Sequence, residues 1–280
     1  MRGYGLALSA EWYRTRRSRS LWLSLLLLSL IAAGYVCFGR LSEELGMRSS
    51  APEGLEQGGD GWVHWVDAWR FTLSATCLLV LIHAARYLSA DRASGVLRLG
   101  LLRASSRSAL VLARASMALP MILLAFLCSG LSAWACCTLF YDFGPLVEDG
   151  YELMSAGELG AELSAASLAI LAPLMAMYAF GILLSALNAR PVRALSLALL
   201  SLLCYDFFKD FLGQPIPWFF ATYAPTFSDT SALSEMSGMA SGYSDMGYTS
   251  EMLLASSLVP LPYIAICLAL ACLVTARRSA

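Results

Sequence analysis

An all-α, polytopic membrane protein with six transmembrane helices is predicted by three features of this 280-residue sequence: its composition, the length of its apolar runs and the placement of its arginines. Hydrophobic residues make up 58% of the chain and charged residues 14%, against roughly 25% charged in an ordinary soluble domain. Six apolar runs extend over about residues 21–38, 71–88, 117–141, 163–187, 192–208 and 252–275. Crossing hydrocarbon takes about 20 residues of helix, because lipid offers the backbone no partners and a helix satisfies its own. None of the runs alternates apolar and polar residues as a barrel strand does.

The arginines orient the chain. Residues 1–20, the 86–116 connection, the turn at 188–193 and the tail after Thr275 hold 15 arginines and two acids, Glu11 and Asp91. The remaining connections hold 18 acids against Arg40, Arg48, Arg70 and Lys209. Basic residues near span ends are retained in the cytoplasm during insertion. Both termini are therefore expected on the cytoplasmic side of a plasma (inner) membrane, and the net charge of −1 conceals two oppositely charged faces. Nothing points to nucleic acid as a partner.

The segments divide into a cytoplasmic interfacial elbow, residues 1–20, and a single transmembrane domain, residues 21–280. In the elbow, Trp12 and Tyr13 precede Arg14, Arg16, Arg17 and Arg19, a pattern suited to lying along headgroups. The first apolar run is longer than the core of a signal peptide and lacks an A-x-A-like site near Tyr35–Cys37, so it reads as an uncleaved span. Trp62, Trp65 and Trp69 follow at helical spacing, which predicts a short amphipathic helix in the outer aromatic belt. Pro120, Pro173, Pro260 and Pro262 fall within spans three, four and six, where each removes a backbone donor. Small residues four apart, Ala165 with Ala169 and Gly181 with Ser185, allow close helix packing. Residues 209–226 are apolar but broken by proline and too short to cross, which predicts an outer re-entrant or interfacial segment.

Several chemistries lack their residues. A phosphate-binding loop needs a lysine after a glycine-rich turn, and the only lysine is Lys209, between Phe208 and Asp210. ATP would therefore have to be bound by another chain. No G-x-S-x-G surrounds a serine that could pair with His64 or His83, so no catalytic residue is assigned. His83 and Arg86 lie near the cytoplasmic end of span two, where both can snorkel. The eight cysteines all lie in apolar runs without a C-x-x-C, as small buried hydrophobes do. Met236, Met239, Met246 and Met252 are spaced too irregularly for a soft-metal site, and a flexible loop is expected there. Asp206, near the outer end of span five, is a candidate either for pairing with Lys209 or for lining a translocation path.

The connection between spans two and three resembles the cytoplasmic connection of type 2 ATP-binding-cassette transporter permeases. That family shows an acid, Gly-x-Leu, a leucine pair, a Pro-x-Ser-Arg-like turn and a basic residue seven positions on. The matching positions are Asp91, Gly95 with Leu97, Leu101 with Leu102, Ser106 with Arg107, and Arg114, with Ala104 where the family has proline. A Glu- and Arg-bearing elbow before span one, Leu184-Ser-Ala-Leu-Asn188 and Ala224-Pro-Thr226 extend the resemblance along the chain. It implies two permease subunits, identical or paralogous, working with two ATPase subunits that carry the ATP and Mg. It also implies a coupling segment over residues 91–114, in which Asp91, Gly95, Arg98, Leu101, Leu102, Arg103, Arg107 and Arg114 serve the ATPase contact. A stand-alone secondary transporter or channel, or an intramembrane enzyme, are the rival readings; the first should carry paired ionisable groups at mid-membrane and repeated halves.

Overall fold

Apolar runs of this length can pair their backbone groups in hydrocarbon only by coiling, and the chain does so. The computed structural model describes residues 3–45, 60–96, 106–148, 151–212, 216–226, 231–240 and 248–277. In order, α1 (Tyr4–Arg16), α2 (Arg19–Glu44), α3 (Asp60–Ala93), α4 (Arg107–Ser116), α5 (Ala118–Phe140), α6 (Ala156–Ala169), α7 (Leu171–Leu187), α8 (Pro191–Leu212), α9 (Ala232–Ala240), α10 (Ser250–Leu258) and α11 (Pro260–Arg277) are the α-helices among the described residues. Among the described residues, six units are long and apolar enough to cross a membrane: α2, α3, α4 with α5, α6 with α7, α8, and α10 with α11.

The prolines account for the three split spans. The helices α4, α6 and α10 end at Ser116, Ala169 and Leu258, each four residues before a proline, Pro120, Pro173 or Pro262. A proline has no N–H for the carbonyl four residues back and its ring crowds that carbonyl, so the helix breaks there and restarts. At two of the breaks the backbone tightens to a three-residue bond, from Met117 N–H to the Arg114 carbonyl (3.0 Å) and from Ile170 N–H to the Ser167 carbonyl (3.2 Å).

Helix α7 lies at the centre of the bundle, packed on α3 and α11. A small-residue notch lets α3 approach. A Cβ on Gly181 would stand 2.6 Å from the Ala84 Cβ and 3.2 Å from the Leu81 carbonyl oxygen. One turn on, Ser185 Oγ accepts from the Ser89 backbone N–H at 3.0 Å and donates to Ser89 Oγ at 3.2 Å. Gly181→Ala should therefore lower the unfolding temperature in micelles, since overpacking costs about 1–3 kcal/mol and outweighs alanine's helix propensity. Gly34→Ala, where nothing lies within 4 Å of the added carbon, should leave it unchanged or raise it. Equal responses would contradict the notch.

Three features differ from what the sequence predicts. The tryptophans do not form a lipid-facing belt: Trp65 and Trp69 are 9% and 6% exposed and sit on the extended N-terminal half of α3. Their partner is a gap rather than a patch, because the missing side chain of Gly130 admits the Trp69 ring and the Gly130 carbonyl accepts from Trp65 Nε1 at 3.2 Å. The methionine-containing segment is partly helical, and Met236 on α9 is buried in the core. A small antiparallel hairpin, β1 (Leu146–Glu148) with β2 (Tyr151–Met154), joins spans three and four of the otherwise helical chain.

Candidate functional site

Both ends of the described chain meet the arginine-rich end of the bundle. The elbow α1 packs on α4, and Arg107 at the start of α4 donates through Nη1 to the carbonyls of Thr275 and Ala276 at the end of α11, at 3.5 and 3.3 Å. The turn at Arg17 and Ser18 is held by Trp22 Nε1, which donates to the Arg16 carbonyl at 3.0 Å. The outer faces of the elbow's Trp12 and Tyr13 stay exposed while Glu11 turns inward.

Glu11 enters a buried charge cluster with Asp91 of α3 and Arg114 of α4; the three residues are 6%, 1% and 3% exposed. Arg114 donates through Nε to Glu11 Oε1 at 3.0 Å and through Nη2 to Asp91 Oδ2. Arg14, one turn past Glu11, donates from both terminal nitrogens to the Asp91 carboxylate, at 2.9 and 2.8 Å. Both guanidinium groups lie over the Tyr87 ring, 5.4 Å away for Arg14 and 4.8 Å for Arg114, and the Tyr87 hydroxyl donates to Glu11 Oε2 at 3.4 Å. Two cations and two anions balance. Each buried charge is compensated by charge-assisted bonds, which is the condition for keeping it out of water.

The connection between α3 and α4 is tied at each end to a different span. Gly95, with φ 75°, is left-handed and ends the helix as only glycine does readily, and its N–H donates to the Arg92 carbonyl at 3.2 Å. Arg92 Nη1 in turn donates to the carbonyls of Ala186 and Asn188, at 2.9 and 3.3 Å, where α7 ends. Cations at a helix C-terminus satisfy the last carbonyls and the dipole together. On the other side Ser106 caps α4, its Oγ accepting from the Ala109 N–H at 3.2 Å, and Arg107 reaches the end of α11. The connection is thus anchored to the elbow, to span four and to span six.

Of the residues singled out in the connection, Asp91 and Arg114 are turned inward and hold helices together; neither presents a surface to another chain. Gly95 and Arg107 mark its two ends. Arg98, Leu101, Leu102 and Arg103 lie outside the described residues. Arg92 and Tyr87 also belong to the site and are not picked out by the sequence reading, whereas Glu11 and Arg14 are read there as parts of the elbow and not as partners of the connection. One signal was available: Glu11 and Asp91 are the two acids among 15 arginines on that face, and an acid in such surroundings is a natural partner for a buried cation.

Asp206 faces residues 216–226. Thr226 Oγ1 donates to Asp206 Oδ1 at 2.6 Å, Lys209 Nζ lies 3.8 Å from the same oxygen, and Ser74 Oγ donates to the Thr226 carbonyl at 3.1 Å. The side chains of Asp206 and Lys209 are 7% and 3% exposed. These bonds staple residues 216–226, two short 3-10 turns, between spans five and two. At the same end of the bundle, His64 Nε2 lies 3.0 Å from Glu43 Oε1, and the Tyr141 hydroxyl donates to Glu43 Oε2 at 3.1 Å. Burial and the adjacent Glu43 carboxylate push the Tyr141 phenol above its ordinary range. Among the described residues no three His, Cys, Asp or Glu side chains converge as a metal site.

No family model matches this chain, and no curated protein does either.

Proposed function

We propose that this chain is the membrane subunit of an ATP-driven transporter of the type 2 ATP-binding-cassette kind, moving its substrate by alternating access. The arginine-rich end faces the cytoplasm, in keeping with the retention of basic residues there, and the chain lies in the plasma (inner) membrane. A separate ATPase binds ATP and Mg and meets the connection between spans two and three, chiefly at Arg98, Leu101, Leu102, Arg103 and Arg107. The observation that carries this reading is the anchoring of that connection: its two ends are bound by charged side chains to the elbow, span four and span six.

That anchoring gives a displacement somewhere to go. Pulling Glu11 away from Arg114, or Asp91 away from both Arg14 and Arg114, would leave a carboxylate uncompensated in a poorly solvated place, which costs several kcal/mol. The elbow, α3 and α4 therefore move together under loads smaller than that, and Arg92 and Arg107 extend the unit to the ends of α7 and α11. Asp91 and Arg114 act as positioning residues for the coupling segment. Asp206 belongs to the outer staple and is not assigned to the translocation path.

A stand-alone secondary transporter is less well supported. Between Arg70 and His83 in span two, and between Arg193 and Asp206 in span five, the sequence has no charged residue, and spans one, three, four and six carry none at mid-height. Ion-coupled carriers place such groups there. The outer surfaces of α2, α8 and α11 carry exposed Leu23, Leu26, Leu200, Phe207 and Ile266, a surface for lipid or for a second permease, identical or paralogous.

Co-expression with an ATPase bearing a Walker motif, encoded beside this chain, tests the proposal. The two should copurify in detergent as a stable complex. Recovery of each alone, with both folded, would overturn it.

A further inference from the structure

The outward face of the elbow α1, with the corner where it turns into span one, is exposed. We infer that this surface docks on the headgroups of anionic phospholipids in the leaflet on the arginine-rich side. Arg16, Arg17 and Arg19 take the phosphates, and Trp12, Tyr13 and Trp22 sit beside the upper acyl chains. The first support is depth. The elbow ends at Arg16, and the membrane-crossing helix α2 begins at Arg19, so these six residues lie where the chain enters the bilayer. Trp22 Nε1 fastens the corner through its bond to the Arg16 carbonyl at 3.0 Å.

The second support is sidedness. Ala7 and Glu11 of α1 are buried, Ala7 against Leu110 and Ala113 of α4, while Trp12, Tyr13 and Trp22 are 54%, 58% and 55% exposed. Leu6, Tyr13 and Arg17 are seven and four residues apart and share one line of the helix surface; Trp12 and Arg16, four apart, share the next. Aromatic rings and cations together on an exposed face at the end of a span suit the headgroup layer. The third support is charge. The two acids on this side are already engaged, Asp91 by Arg14 at 2.8 Å and Glu11 by Arg114 at 3.0 Å. Arg16, Arg17 and Arg19 are exposed and have no ion pair among the described residues, and Arg17 lies 4.4 Å over the Tyr13 ring. Three uncompensated cations thus stand within four residues, and anionic headgroups supply the missing charge and the phosphate oxygens that guanidinium groups bind in pairs. The opposite face of α1 carries Glu11, so lipid that holds the elbow also steadies the helix on which α4 packs.

Native mass spectrometry of the full-length chain in mild detergent, titrated with phosphatidylglycerol or with phosphatidylcholine of the same chain length, tests the inference. The natural chain should favour phosphatidylglycerol at least about fivefold, the contribution of one basic residue near an anionic surface. Arg16→Gln with Arg17→Gln and Arg19→Gln should bring that ratio close to one. If this variant does not fold, Arg16→Gln with Arg19→Gln, which keeps the contact of Arg17 with Tyr13, decides by a fall in the ratio. Arg190→Gln with Arg193→Gln removes two exposed arginines from the turn between spans four and five and should leave the ratio unchanged. Equal binding of the two lipids by the natural chain, an unchanged ratio in the elbow variants, or an equal fall in the Arg190 and Arg193 variant would overturn the inference. An elbow variant that keeps the ratio but no longer copurifies with the ATPase would assign the face to that partner instead. The lipid measurements involve no ATPase, so they stand apart from the test of the transport reading.

Discussion

Arg114→Met should lower the unfolding free energy of the full-length chain in micelles by about 3–5 kcal/mol, the cost of removing one partner from a buried ion cluster. Methionine matches the length of the stem but leaves Glu11, 6% exposed, with only the Tyr87 hydroxyl at 3.4 Å. Asp91 keeps Arg14, so the deficit falls on Glu11 and on the contact between elbow and α4. Neutralising both, Glu11→Gln with Arg114→Met, leaves the balanced Arg14–Asp91 pair. That double variant should cost clearly less than the two single changes added together, which is the signature of residues acting in one network. Denaturant unfolding of the three variants measures it. A loss below about 1 kcal/mol for Arg114→Met, the range of exposed pairs, would show that the cluster is not buried as described.

The helical architecture was legible because hydrocarbon leaves so few alternatives: run length and proline positions sufficed for the spans, and each split lies four residues before a proline. Gly181 and Ser185 were also legible as a close-packing pair, since small residues four apart share a face. What could not be read was which surface opposes which. Trp65 and Trp69 have the spacing of an amphipathic helix, but the glycine on α5 that admits them is 61 positions beyond Trp69, and no single-helix pattern records it. The hairpin at residues 146–154 depends on pairing two short strands, which periodicity in so few residues does not define.

The candidate site was half legible for a similar reason. Asp91, Gly95, Arg107 and Arg114 lie in one connection and could be noticed together. Glu11 and Arg14 reach the same cluster from 77 or more positions away from Arg114 and Asp91 respectively, through a fold that brings the elbow under α4. The structure also changes the meaning of the residues that were noticed: a charged position in an arginine-rich connection can serve to anchor it, as Asp91 and Arg114 do, rather than to meet a partner.

That distinction shapes the decisive experiment. Reversing Arg98, Arg103 and Arg107 together is expected to abolish coupling, but Arg107 also binds the carbonyls at the end of α11, so its reversal would disturb the fold as well. Arg98→Glu with Arg103→Glu leaves that bond in place and reverses charge in the segment proposed to meet the partner, where like-charge contact is strongly unfavourable. The measurement is the rate of ATP hydrolysis by the partner ATPase in proteoliposomes, alone, with the natural chain and with this double variant. The natural chain should raise the rate, and the double variant, with an unchanged unfolding temperature, should return it to that of the ATPase alone. Hydrolysis that is indifferent to the chain, or equally stimulated by the double variant, would contradict the account.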